Sequence, residues 1–252
     1  MRKILAVKGL LLLLLAFPAA APADGPDLSA TEIIRRMELR TRGESSQGKL
    51  SLEIVAPTFQ RRLEISFWTQ GNEKALVRVT APSREAGIGW LRLGDLMWNY
   101  FPKVEKTIKI PPSVMMQPWN GSDFTNDDMM KASSFVTDYR HRLLRTRPDA
   151  EGYRWEIECV PRPDRPVVWG KLIFRVNADF LPVRQEFYDE RGQLVKSLDF
   201  SDVRKVGERP FPHTWTMTNL KKPGCRTVIR YREVAFDRTL PEDTFSLRRL
   251  SR

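Results

Sequence analysis

From Lys49 to Ile110 apolar and polar positions alternate in short runs, KLSLEIVAP, RRLEISFWTQGNEKALVRVTAP, IGWLRLGDLMWNYFP and KTIKIPP, each broken by Gly, Pro, Asn or Asp. A period of two with such punctuation predicts β-strands joined by tight turns. The second half continues in the same style with FVTDYRHRLL, YRWEIECVP, VVWGKLIFRVN, LPVRQEFYDERGQLVKSLDFSDVRKV, FPHTWTMTNL and CRTVIRYREVAF. No long helical pattern intervenes, so consecutive strands form an antiparallel sheet of roughly ten or more strands, which must curl or close. A curled sheet has a concave face that something must fill.

One filler is a helix. In DLSATEIIRRMELRTRG, Ser29 is placed to cap, Glu32 completes a capping box, Ile33, Ile34 and Met37 form an apolar stripe, and Gly43 ends the pattern. The hairpin at 88–101 supplies a face to cover. With Gly94-Asp95 as a two-residue turn, Leu93 pairs with Leu96, Leu91 with Trp98 and Gly89 with Tyr100. One face then carries Gly89, Leu91, Leu93, Leu96, Trp98 and Tyr100 and is wholly apolar or aromatic. The other carries Ile88, Trp90, Arg92, Met97, Asn99 and Phe101 and is mixed.

The second filler is SVMMQPWNGSDFTNDDMM, residues 113–130, which resembles neither flanking strand. Pro111-Pro112 ends a strand, Asn120-Gly121 marks a turn, and Asp123 or Thr125 caps a short helix whose first turn holds Asp127 and Asp128. Met115, Met116, Trp119, Phe124, Met129 and Met130 supply an apolar underside. Two readings stay open: ordinary core that plugs the sheet, or an adaptable surface, since unbranched, polarizable methionine conforms to variable apolar partners. The acids lack the alternating spacing and distal Glu of a calcium loop.

The N-terminus changes the compartment. MRKILAVKGLLLLLLAFPAAAPADG has a basic start, an apolar run too short to cross a bilayer and an Ala21-Pro22-Ala23 exit before Asp24. Residues 1–23 are therefore expected to be a cleavable signal peptide and 24–252 one soluble domain, free in the periplasm. Losing Arg2, Lys3 and Lys8 lowers the formal charge from +11 to +8, still basic. Export disfavours nucleic acid as the partner and leaves a transient anionic membrane surface or a protein. Cys159 and Cys225 fall on strands that are not consecutive, so two buried free thiols are the default and a disulfide the alternative.

No catalytic pattern stands out. There is no G-x-S-x-G elbow, H-E-x-x-H or P-loop, and GIGW lacks the rest of a dinucleotide fingerprint. Glu156 and Glu158 share one strand face, and His141 and His213 have no identifiable nucleophile to activate. The expectation is a non-enzymatic monomer without cofactor or metal.

With the helix, the meander, MQPWNGSDFTNDDMM, MWNYFPKVEKTIKI and the C-terminal LPEDTFSL, the chain resembles the outer-membrane lipoprotein-sorting proteins, relatives of the LolA and LolB carriers, across its mature length. That resemblance implies a mainly β fold, a strongly curved antiparallel sheet or half β-barrel, closed by short helices over an apolar cavity for acyl chains. It implies lipoprotein or lipid acyl chains as cargo, an inner-membrane transporter as donor and an outer-membrane acceptor. On this reading Leu91, Leu93, Trp98 and Tyr100 line the sheet side, while Ile33, Ile34, Met37 and the methionine segment form a lid. The dedicated carriers are shorter, so the cargo extends to lipids other than triacylated protein. Alternatives are an accessory to a lipid-exporting transporter, an envelope-stress regulator that binds lipoproteins and, least favoured, a periplasmic lipid hydrolase.

Overall fold

The computed structural model describes residues 28–131, 135–146, 152–163 and 167–252; the expected signal peptide lies outside the described residues. Helix α1 (Ala30–Arg42) forms where its sequence signals place it. Ser29 Oγ accepts from the Glu32 N–H at 3.2 Å, and Gly43, at φ 68°, donates its N–H to the Leu39 carbonyl. The left-handed conformation at Gly43 costs little because glycine has no Cβ. Ile33, Ile34, Met37 and Glu38 are its buried face.

Six strands follow: β1 (Ser45–Ala56), β2 (Phe59–Gln70), β3 (Lys74–Ala81), β4 (Gly89–Leu93), β5 (Leu96–Phe101) and β6 (Lys106–Lys109). After two short helices, α2 (Asn126–Lys131) and α3 (Phe135–Asp138), come seven more. They are β7 (Tyr139–Arg145), β8 (Trp155–Pro161), β9 (Lys171–Val176), β10 (Pro182–Tyr188), β11 (Leu194–Val206), β12 (Arg209–Asn219) and β13 (Arg226–Phe236), followed by α4 (Leu247–Leu250). All thirteen strands make one antiparallel sheet, ordered β6-β5-β4-β3-β2-β1-β13-β12-β11-β10-β9-β8-β7 and not closed into a barrel.

That order explains the odd segment. β6 and β7 are consecutive in sequence yet form the two opposite edges of the sheet. The chain meanders outward from β1 to β6, returns across the open side through a segment whose described residues are 110–131 and 135–138, and meanders back until β13 pairs with β1. The methionine segment is thus a strap.

Its polar residues dock it. The Asn120-Gly121 turn has positive φ at both residues (49° and 78°), and Trp119 N–H donates to the Phe124 carbonyl at 2.7 Å to close the loop. Thr125, rather than Asp123, caps α2: its hydroxyl accepts from the Asp128 N–H at 2.9 Å while Asp128 Oδ2 accepts from the Thr125 N–H at 2.8 Å. Asp123 instead reaches the sheet. Its carboxylate accepts from Thr227 Oγ1 at 2.8 Å and Asn219 Nδ2 at 3.2 Å. Lys196 Nζ donates to the Asp123 carbonyl and pairs with Asp128 Oδ2 at 3.6 Å, and Trp169 Nε1 donates to Asp128 Oδ1 at 2.9 Å. On the other side Arg61 Nη1 donates to the Asn120 carbonyl at 3.0 Å, and the Trp90 and Trp119 rings lie 4.7 Å apart. Anchors on β4, β2, β13, β12 and β11 therefore follow the strap across the sheet.

The hairpin pairs as expected, Leu93 with Leu96, Leu91 with Trp98 and Gly89 with Tyr100. Its facing is the reverse of the expectation. Leu91 joins Leu76 and Leu250 in a separate buried cluster, with Leu93, Trp98, Tyr100 and Phe245 packed around it. Trp90, Met97 and Val77 turn to the main core with Ile33 and Ile34. The C-terminal segment is the cause, because it lays α4 against β4 and covers the apolar face from outside. The packing is close: a Cβ at Gly89 would meet Leu250 Cδ1 at 2.8 Å, so the leucine would have to shift. Arg78 on β3 holds the C-terminal segment by donating to the carbonyls of Arg249 and Leu250. Cys159 is buried and Cys225 half-buried, both as free thiols.

Candidate functional site

Between the concave face, α1 and the strap lies a cavity of about 220 Å³. The sheet side comes from alternate residues of many strands: Leu50 and Leu52 on β1, Ile65 and Phe67 on β2, Leu198 and Phe200 on β11, Ile229 and Tyr231 on β13. The same period of two that buries one face of each strand aims these side chains inward. α1 contributes Met37, Glu38, Thr41 and Arg42; the strap contributes Phe124, Asp128 and Met129; and Trp169, Leu172, Phe174 and Phe187 complete the far wall.

The two ends differ. At the strap end, Thr227 and Arg61 both pair with Ile54 near the β1–β2 hairpin, so the strap stoppers that end with Trp119 and Phe124, both buried. At the other end Ser46 and Thr69 sit opposite one another with hydroxyls 2.6 Å apart. Glu38, Arg42 and Lys74 line the cavity there, and all three also line an outer pocket of about 770 Å³, bounded by the Gly71–Glu73 turn and by Val136 and Thr137 of α3. The cavity has an apolar floor and a charged mouth.

Burial sets the electrostatics of that mouth. Glu38 is 7% exposed, and desolvation pushes its carboxyl up to about 7; Arg42, one turn on, opposes the rise and Asp138 reinforces it. Burial pulls the Arg42 guanidinium down from its usual range, only partly countered by Glu38. It also drives the Tyr231 phenol up. Glu38 Oε1 and Arg42 Nε are enclosed with no hydrogen-bond partner among the described residues. Arg92, buried on β4, is steered by its Nε donating to the Gly94 carbonyl at 2.8 Å.

Of the residues singled out from sequence, Met37, Phe124 and Met129 line the cavity. Ile33, Ile34 and Trp119 are fully buried in the surrounding core, and Met115 packs against it half-buried. Met116 is 56% exposed, the side chain of Met130 lies outside the described ones, and Leu91, Leu93, Trp98 and Tyr100 are on the outer face. Missed were the β2, β11 and β13 linings and the charged triad Glu38, Arg42 and Arg92. The alternation Leu63, Ile65, Phe67 against Glu64, Ser66, Trp68 carried the signal for β2.

The histidines are occupied structurally. His141 Nδ1 meets Thr31 Oγ1 at 3.0 Å and its Nε2 meets the Phe135 carbonyl at 2.9 Å, while His213 Nδ1 lies 3.0 Å from the Phe211 carbonyl. Glu156 and Glu158 face arginines and a lysine, in pairs with Arg145, Arg175, Arg142 and Lys171. Among the described residues no three His, Cys, Asp or Glu side chains are grouped to hold a metal ion, and no helix is long and apolar enough to cross a membrane.

Three solved structures share this architecture. A domain from Vibrio parahaemolyticus assigned to an outer membrane lipoprotein-sorting protein superposes with a TM-score of 0.78 at 24% identity, covering 88% of this chain and 98% of that one. A LolA superfamily protein from Nitrosomonas europaea gives 0.76 at 25% identity, covering 88% and 100%. A DUF1329 family protein from Desulfovibrio piger gives 0.80 at 20% identity, covering 88% and 97%. No curated protein matches the sequence. Residues 71–252, from the β2–β3 turn onward, match the profile of a family described as an uncharacterized protein. The chain belongs to that family, and its curved, open sheet closed by helices is the fold of the LolA-like outer-membrane lipoprotein-sorting proteins.

Proposed function

We propose that this protein is a periplasmic, non-enzymatic carrier that holds an acyl chain of a lipid or lipoprotein and passes it toward the outer membrane. The observation that carries the reading is the cavity itself, apolar from Leu52 and Ile65 down to Phe124 and Met129 and charged at its mouth. Ordinary cores are packed without such space, and a cavity lined by Leu, Ile and Phe suits apolar guests.

Magnitudes shape the mechanism. Each methylene moved from water is worth about 0.8 kcal/mol, so a long chain contributes on the order of 10 kcal/mol gross. The cavity's 220 Å³ falls below the roughly 300 Å³ at the small end of ligand sites, so bulkier cargo requires α1 or the strap to shift. That shift takes back part of the gain and keeps binding reversible, as a carrier requires. Met37 and Met129, on the two movable walls, tolerate such repacking better than branched side chains. A donor at the inner membrane, an acceptor at the outer membrane and passing contact of the basic surface with anionic headgroups complete the proposed cycle. The lipoprotein-sorting neighbours support this reading through fold.

Fluorescent fatty-acid uptake tests it. The wild-type protein takes up the probe with saturable, stoichiometric binding, and Leu198→Trp, which fills the cavity from β11, abolishes uptake while the fold survives. Equal uptake by both proteins would place the probe elsewhere and remove the proposal's basis.

A further inference from the structure

The lining of the cavity changes character along its length, and the change says something about the end of the guest. Its floor is apolar, apart from Asp128, which is already paired with Lys196 and Trp169. Its mouth gathers Arg42 from α1, Arg92 from β4 and Lys74 from β3, against Glu38 from α1 and Asp138 from α3. Tyr231 from β13 stands beside Arg42. Cations outnumber acids even when both acids are ionised. Arg42 is half-buried, yet its enclosed Nε donates to nothing among the described residues. A guanidinium N–H held out of water without an acceptor is a costly arrangement unless an acceptor arrives.

Resting on the carrier reading above, we propose that the cavity mouth is a headgroup site. It takes the oxyanion, carboxylate or phosphate, at the end of a single acyl chain, with Arg42 as its principal donor and Arg92 supporting it. The outer pocket of about 770 Å³, which shares Glu38, Arg42 and Lys74 with the cavity, gives the remainder of a larger headgroup room outside. Arginine suits the role because its planar fork of donors matches carboxylate and phosphate oxygens. Glu38 does not oppose it. Burial favours its protonated form up to neutrality, and a protonated carboxyl donates to an oxyanion where an ionised one repels it.

The test compares three guests of one chain length by displacement of the uncharged dye 1-N-phenylnaphthylamine: palmitate, palmitoyl lysophosphatidate and hexadecanol. On the wild-type protein at least one anion binds about tenfold or more tighter than the alcohol. Arg42→Gln brings the anions to the alcohol's affinity and leaves the alcohol unchanged, which also reports an intact cavity, and Arg42→Lys recovers part of the difference. Tighter palmitate names a carboxylate cargo and tighter lysophosphatidate a phosphate; either upholds the site. Equal wild-type affinity for all three, or an equal loss for all three in Arg42→Gln, overturns the headgroup site and leaves the carrier standing. Failure of all three to displace the dye removes the carrier reading as well.

Discussion

Thr227 on β13 donates its hydroxyl to Asp123 Oδ2 at 2.8 Å and accepts the Asp123 backbone N–H at 2.9 Å, so one side chain pins the middle of the strap to the centre of the sheet. Thr227 is fully buried, and its loss leaves both Asp123 groups short of a partner. Thr227→Val, which keeps the shape, is expected to lower stability by about 1–3 kcal/mol in urea unfolding. Amide exchange over 119–129 should accelerate more than exchange in β1. An unchanged exchange pattern would show that the strap is held by its apolar contacts alone.

The two faces of the sheet separate stability from binding, with Leu91 of β4 on one and Ile65 of β2 on the other. Leu91→Ala empties a site beneath α4 and should cost about 2–5 kcal/mol while fatty-acid affinity stays within a factor of two or so. Ile65→Asp, facing the cavity, should abolish binding by placing an unpaired charge in its wall. Both variants are read by chemical denaturation and probe titration on the same preparation. Loss of binding in Leu91→Ala at temperatures where it is folded would contradict the assignment of faces.

Glu38 makes stability depend on pH. Its carboxyl titrates near 7 when folded against an ordinary value of 4.5, so the folded state holds the proton more tightly. Its stabilising contribution is complete below about pH 4.5 and is lost as pH rises through 7, reaching about 3 kcal/mol at most. In Glu38→Gln that loss disappears. The stability difference between variant and wild type should grow in the variant's favour from pH 4.5 to 7 and level off above. Urea midpoints across pH 4 to 8 check it; parallel curves would mean that Glu38 keeps an ordinary carboxyl.

Much of the frame was legible from residue patterns. Ser29, Glu32 and Gly43 mark the helix, and Gly94-Asp95 sets a register that the hairpin adopts pair for pair. Turn chemistry and capping are local, so neighbours in sequence suffice to read them. Which face of the hairpin turns inward is not local. It depends on Phe245 and Leu250, some 150 residues away along the chain, settling over Leu91 and leaving the mixed face to α1 and the strap. The Thr125 cap on Asp128 is local and legible, but the strap's docking was opaque, because the other partners of Asp123 and Asp128 are Thr227, Asn219, Lys196 and Trp169, brought near only by the return of the sheet. The charged mouth hid for the same reason: Glu38 and Arg42 read as the polar side of an amphipathic helix until the sheet closes over them.

Carriage of an acyl chain in the cavity between sheet, α1 and strap is the proposal on which the other expectations rest. Native mass spectrometry with lipid extraction, on protein isolated from the periplasm without detergent, tests it most directly. A co-purifying acyl species in near-stoichiometric amount, released intact and absent from Leu198→Trp, is the expected result. A clean unliganded mass for the wild-type protein, with no fatty-acid uptake afterwards, would contradict it and make the cavity a packing defect of a structural domain.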